Sequence, residues 1–210
     1  MKDTPGKFKK IIKRFWNIVW RDNSPKGWII SILFLFIVIK LIFFPVLNLI
    51  TGTTLPLVIV ESCSMYHEKN IFSNYDLWWE DHDTKYFRLG ITKELFREFN
   101  FNKGFTKGDI LFVTGVKSEK IEIGDVIIFE SDYSSPIIHR VISIAKSEDS
   151  YTFSTIGDNN NGQLTIEKSI PEEKIIGKAR ARIGPYLGWV KLIFFEPLRP
   201  SSEKGFCKEN

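Results

Sequence analysis

Cysteine is scarce in this sequence: only Cys63 and Cys207 occur among 210 residues, the second in a polar C-terminal stretch expected to fray. No disulfide framework is readable from so few. Histidine is almost as rare, limited to His67, His82 and His139. Internal repeats and low-complexity tracts are missing, which excludes solenoids and arrays. The chain beyond its basic start is also short of cations, with 21 Lys or Arg against 23 Asp or Glu in residues 27–210, a net of −2. Phosphate binding needs cations clustered on the folded domain, so nucleic acid is excluded as a partner class. The overall charge of +4 therefore originates in residues 1–26, where eight Lys or Arg face Asp3 and Asp22. What the chain has in quantity is apolar material, 43% hydrophobic and 14% aromatic, ample for a core.

The longest apolar run, GWIISILFLFIVIKLIFFPVLNLI at 27–50, contains a single charge, Lys40. At about 1.5 Å of rise per residue such a helix crosses a hydrocarbon core of about 30 Å. It lacks the short apolar stretch and small-residue cleavage site of a removable leader, so it reads as a retained transmembrane anchor. Within the basic segment 1–26, Phe8, Ile11, Ile12, Phe15, Trp16, Val19 and Trp20 recur at helical spacing with Lys9, Lys10, Lys13 and Arg14 on other faces. That pattern suits an amphipathic helix on anionic lipid. The Lys and Arg excess ahead of the span puts the N-terminus in the cytoplasm and the following body outside, as a single-pass protein of the cell membrane.

From 52 to 199 the pattern shifts to short β-rich runs, LPLVIVE at 55–61, DILFVTGV at 109–116, KIEIGDVIIFE at 120–130, PIIHRVISIA at 136–145 and YTFSTIG at 151–157. Gly, Asp, Asn, Ser and Pro separate them, which predicts a mainly antiparallel β domain with minor α content. A long insertion at about 66–105 interrupts it, and Thr92 is placed to cap a helix running to Asn100. PYLGWVKLIFFEP at 185–197 is too short to span a membrane and fits a core or interfacial segment; residues 200–210 form a polar tail.

A serine nucleophile needs an imidazole or amine to take its proton. Ser62 and Ser64 flank Cys63 at the end of the first β run, and His139 lies within an alternating run. Nothing in spacing alone joins Ser64 to His139. His67 is a competing base, Cys63 a competing nucleophile, and His67, Glu68, His82 and Asp83 match no standard metal-ligand spacing. Gly108–Asp109 and Gly124–Asp125 read as turn residues at strand starts.

The blocks ESCSM at 61–65, KGDILFV at 107–113, IGDVIIF at 123–129, PIIHRVI at 136–142, TIGDNN at 155–160 and IIGKARARIGPYLGWVKL at 175–192 occur in an order that resembles type I signal peptidases. They look most like the archaeal and endoplasmic-reticulum branch, in which histidine replaces the bacterial lysine base. The difference is physical, since a lysine must have its pKa lowered by burial whereas a histidine starts near neutrality. The resemblance implies a signal-peptidase-like fold and a serine endopeptidase removing signal peptides from secretory preproteins. In S-x-S-M it implies Ser64 as nucleophile, with Ser62 and Met65 on the oxyanion and substrate side, and His139 as general base. The family usually has Gly between the serines and Pro two places after Met; this chain has Cys63 and His67 there.

The resemblance also implies an acid that orients the histidine, commonly a few positions beyond G-D-N-N in that family. Here Asp158 is followed by Asn159, Asn160, Asn161, Gly162, Gln163 and Leu164, and the next acid is Glu167. Asp158 is favoured, with Glu167 or a dyad as alternatives. The implied partners are secretory preproteins, the lipid bilayer, and a translocon or accessory subunits; the chemistry requires no cofactor and no metal. The rival reading is a non-catalytic, membrane-tethered β module that binds extended peptides at a sheet edge.

Overall fold

A computed structural model describes residues 5–67, 75–132, 135–148 and 150–208, and Glu68 lies outside them. The chain divides into two compact units, Met1–Ile50 and Thr51–Asn210. In the first, an amphipathic helix Pro5–Arg21 precedes a continuous helix Pro25–Thr51, long and apolar enough to cross a membrane. Ser24 starts the second helix by accepting the Gly27 N–H at 3.1 Å. Phe15 packs edge-on to Phe34 with ring centroids 5.3 Å apart, and Ser31 Oγ donates to the Val19 carbonyl at 2.7 Å. Phe8, Ile11, Trp16 and Trp20 stay exposed. Pro45 has no N–H to give the preceding turn, and just ahead of it, at Ile39–Phe43, the helix loosens into a π turn in which the Phe44 N–H reaches back to Ile39 O.

The second unit is a seven-stranded antiparallel sheet in the order β1-β2-β7-β3-β4-β5-β6. The strands are β1 Leu57–Ile59, β2 Ile110–Thr114, β3 Val126–Phe129, β4 Ile137–Lys146, β5 Tyr151–Ile156, β6 Ile170–Pro171 and β7 Ile175–Gly184. The mainly β fold expected from the sequence is therefore the one observed. Strand β3 is apolar on both faces because both are covered: Val126 and Ile128 pack with Val60, Met65, Leu111 and Val113, while Ile127 and Phe129 pack with Val141, Phe153 and Ile170.

The turns before β2 and β3 share one construction. Asp109 Oδ2 accepts the Thr106 N–H and Asp125 Oδ2 accepts the Glu122 N–H, each three residues back. Gly108 and Gly124 precede them at φ 91° and 95°, where a side chain is strained, and a Cβ would collide with Trp189 and Phe99 respectively. These aspartates are thus structural, as their position predicts.

Among the described residues of the insertion two helices form, Tyr75–Phe87 and Lys93–Glu98, the latter capped by Thr92 as anticipated. Trp78, Trp79, Tyr86 and Phe96 form an aromatic cluster with Ile142 and Ile156 of the sheet. The expected C-terminal apolar segment is a short helix, Trp189–Phe195, that buries Leu192 and exposes Val190, Ile193 and Phe194. The tail beyond it does not hang loose. Cys207 is bonded to Cys63, with Cα atoms 5.4 Å apart, correcting the expectation of a fraying end with a pairing that the sequence did not make readable.

Candidate active site

Strand β1 leads directly into the serine pair. Its pairing with β2 continues past Ile59, since the Val60 N–H donates to Asp109 O and the Gly108 N–H to Val60 O. The chain then turns through Ser62, Cys63 and Ser64, and the two hydroxyl oxygens lie 3.1 Å apart. The turn is stitched from beneath by the loop after β5: the Asn159 N–H donates to Ser64 O at 2.8 Å and Asn159 Nδ2 to Cys63 O at 3.1 Å. Gly157 permits this approach, because a Cβ there would sit 2.7 Å from Ser64 O. Met65, expected on the substrate side, is instead buried in the core, where its sulfur receives the Asp158 N–H.

Ser62, Ser64 and His139 line one cleft of about 930 Å³. One wall is β1, Leu57 to Val60; another is the start of β4, Pro136 to Ile138; Leu192, Phe195, Leu198 and Arg199 form a third. Strand β1 is the terminal strand of the sheet, so its second edge has no strand partner among the described residues.

His139 sits on β4 opposite Ile127 and is nearly buried. Its Nδ1 is hydrogen-bonded to Glu167 Oε1. A carboxylate only accepts, so Nδ1 is the donor in this bond, and in a neutral imidazole the remaining lone pair is then on Nε2. Glu167 is fully buried at the end of a single turn, Thr165–Glu167, and is fixed on both oxygens: Thr155 Oγ1 donates to Oε1 at 3.1 Å and the Leu164 N–H to Oε2 at 2.7 Å.

Asp158, the favoured acid, belongs to another cluster. Its Oδ1 accepts from Tyr86 Oη at 2.7 Å and Arg140 Nε at 2.9 Å; its Oδ2 accepts from Arg140 Nη2 at 2.6 Å and His67 Nε2 at 2.9 Å. Burial would raise the Asp158 carboxyl, but the Arg140 charge and the hydrogen bonds from His67 and Arg140 hold it well below the usual carboxylate range. Burial likewise acts to lower Arg140, yet Asp158 keeps it above its ordinary value. His67, stacked on Trp78 at 3.6 Å, is pushed down to about 4, mainly by burial and against the pull of Asp158. It lies outside the cleft lining and is held neutral, a structural hydrogen-bond donor and not a rival base. Lys85 of the insertion donates to the carbonyls of Asp158 and Asn160 at 2.6 and 3.0 Å.

The Cys63 sulfur is consumed by the disulfide, which removes it as a nucleophile. His82 donates Nδ1 to the Trp78 carbonyl. Among the described residues no group of three or more His, Cys, Asp or Glu is gathered as a metal would require.

What these elements define is a mainly β domain with one cleft lined both by paired serines and by a histidine anchored to a buried glutamate. The chain is similar to the signal peptidase complex catalytic subunit SEC11C of Homo sapiens, 34% identical over 100 residues that make up 42% of this chain and 50% of that protein. The subunit of the same name in Mus musculus matches to the same extent. The signal peptidase complex catalytic subunit SEC11 of Zygosaccharomyces rouxii is 35% identical over 96 residues, 42% of this chain and 56% of that one. The chain spans about half the length of the curated relatives it matches. No protein-family model matches it.

Proposed function

We propose that the chain is a membrane-anchored serine endopeptidase that removes signal peptides from secretory precursors, of the branch that uses histidine in place of lysine. The observation that carries this reading is the shared cleft: Ser64 and His139 line it together, with Glu167 bonded to the histidine from behind. The likeness to signal peptidase catalytic subunits adds independent support.

The precursor's cleavage segment lies in the cleft as an added strand along the free edge of β1, which delivers its scissile carbonyl to the serine turn. His139 Nε2 takes the proton from Ser64 Oγ as the oxygen attacks. Glu167 fixes the tautomer and stabilises the imidazolium that forms. The Ser62 hydroxyl and the Ser64 N–H are the donors for the oxyanion. The imidazolium protonates the leaving amine, and water, deprotonated by the same histidine, releases the acyl group. No metal or cofactor enters any step.

The anchor helix keeps enzyme and precursor on one membrane, with the N-terminus cytoplasmic and the β domain outside. The disulfide supports that orientation, since such bonds persist in oxidising compartments. In liposomes, the full chain is expected to cut a precursor carrying small residues one and three positions before the bond. Ser64→Ala and His139→Ala should each lower cleavage by about 10³-fold or more while leaving thermal unfolding near wild type. Intact cleavage in both variants would leave the peptide-binding module as the better reading.

A further inference from the structure

The third wall of the cleft comes from a segment with little structure of its own. After the helix Trp189–Phe195, residues 196–208 make two single turns, Glu196–Leu198 and Ser201–Glu203. Among the described residues their backbone–backbone hydrogen bonds are local, from the Arg199 N–H to Glu196 O and from the Glu203 N–H to Pro200 O. Side chains tie the segment to the body. Buried Lys107 donates Nζ to Glu196 Oε1 at 2.6 Å and to Glu203 O at 2.7 Å, and Arg199 Nη2 donates to Glu61 Oε2 at 2.9 Å. Its far end is fastened by the Cys63–Cys207 bond, placed between the two serines of the site. Leu198, Arg199 and Glu203 face the cleft from this strap.

We propose that residues 196–208 are a latched wall of the substrate cleft, closed by the Cys63–Cys207 disulfide and released by dithiols, so that substrate is bound well only where the bond is oxidised. This rests on the endopeptidase reading and extends it to the control of substrate binding. The Ser64 turn does not depend on the latch, because Asn159 holds Ser64 O and Cys63 O, and the Phe105 N–H holds Met65 O. The strap depends on it more: without the bond the stretch beyond Glu203 is held by the Gly205 N–H on Glu196 Oε1 at 2.6 Å and by Phe206 against Trp189, rings 4.7 Å apart, with no bond from its own backbone to a strand. Segments with few buried contacts and no ladder bonds open at low free energy. In the reduction a dithiol supplies two electrons and two protons. Its thiolate attacks one sulfur, the mixed disulfide resolves intramolecularly, and the products are Cys63 and Cys207 thiols and a cyclic disulfide of the reagent. A disulfide oxidant such as oxidised glutathione reverses it. A chain still in a reducing cytoplasm would thus hold its cleft open and bind precursors poorly until its β domain has crossed the membrane.

The test uses the full chain in detergent micelles with a peptide spanning a small-residue cleavage site, and dithiothreitol as the dithiol. Reduction, and separately the double variant Cys63→Ala/Cys207→Ala, should raise KM about tenfold with kcat kept within about threefold. Reoxidation should restore the wild-type KM and leave the double variant unchanged. Hydrogen exchange should rise at 196–208 on reduction and stay level in β2, β3 and β7. Arg199→Ala, with the disulfide intact, should raise KM in the same direction. An unchanged KM in the reduced protein, or a loss confined to kcat, overturns the latch. Ser64→Ala separates the two ideas: cleavage surviving in that variant would refute the endopeptidase reading itself, whatever the disulfide does.

Discussion

Two buried carboxylates, Asp158 and Glu167, follow His139 in the chain, and their hydrogen-bond partners set them apart. Glu167 meets His139 Nδ1, a hydroxyl and a backbone N–H, a set that lets it stabilise a transient imidazolium. Asp158 already balances the permanent charge of Arg140, which is itself fully buried under Phe96 at 4.7 Å. Glu167→Gln is therefore expected to lower kcat by about 10²–10⁴-fold with little loss of stability. Asp158→Asn strands a buried guanidinium and should destabilise the domain by about 3–5 kcal/mol, while the folded fraction keeps its turnover. Steady-state kinetics alongside denaturant titration distinguishes these outcomes, and the opposite pattern would return Asp158 to the triad. The sequence left this choice open because the family spacing points near G-D-N-N, whereas the turn that swings Glu167 inward is a tertiary feature. Ser64 and His139 were legible only through the order of the blocks, since spacing alone places them 75 positions apart without a link.

The same cluster sets an acid limit. Free imidazole takes its proton near pH 6.5, but folded His67 resists until about 4. Between those values the unfolded chain binds a proton that the folded chain refuses, so stability falls as pH drops through this window. At about 1.4 kcal/mol per unit the loss reaches roughly 3 kcal/mol. Asp158, with its carboxyl held low, adds a further loss below the usual carboxylate range. Thermal melts from pH 7 to 4 should show a steep decline in the wild type and a shallower one in His67→Gln. Parallel curves would mean that another group controls the limit.

Elements differ in how far they can be read ahead of the structure. The runs that became β2, β4 and β5 alternate or cluster in the usual way, and their bounds agree to within a few residues. Strand β7 is less obvious, although it joins the two halves of the sheet between β2 and β3. Its segment GKARAR carries three cations whose partners are fixed only in three dimensions: Lys178 pairs with Asp125 at 2.5 Å and Arg182 with Asp109 at 3.2 Å, while Arg180 donates to the Thr114 hydroxyl at 2.8 Å. The same aspartates that shape the turns before β2 and β3 thus offset two of the three cations on the strand between them. The helix Tyr75–Phe87 was hidden for a related reason. Its aromatic residues are not spaced on one face, and Trp78, Trp79 and Tyr86 are buried by the sheet and by the short helix Lys93–Glu98. Through Lys85 and Tyr86 this insertion braces the loop that holds the serine turn, a supporting role that composition alone does not reveal.

At the scale of the whole molecule, charge and hydrophobicity are segregated in a way that suits a two-dimensional reaction. The basic excess and the apolar helix Pro25–Thr51 fall in one unit, and the cleft falls in the other. Among the described residues three clusters of buried apolar side chains lie beyond residue 50, so the second unit has a core of its own. Confinement to a membrane raises the effective concentration of a substrate that is itself embedded and does nothing for one that is dissolved. A chain beginning at Thr51, kept in mild detergent to shield the exposed Val190, Ile193 and Phe194, should cut a short soluble peptide with kcat/KM within about threefold of the full chain. Against a precursor in liposomes the same truncation should be slower by about 10²-fold or more, because each encounter must then come from bulk solution. Equal losses on both substrates would mean that the first fifty residues take part in shaping the cleft, and the anchor could no longer be treated as a device for concentration alone.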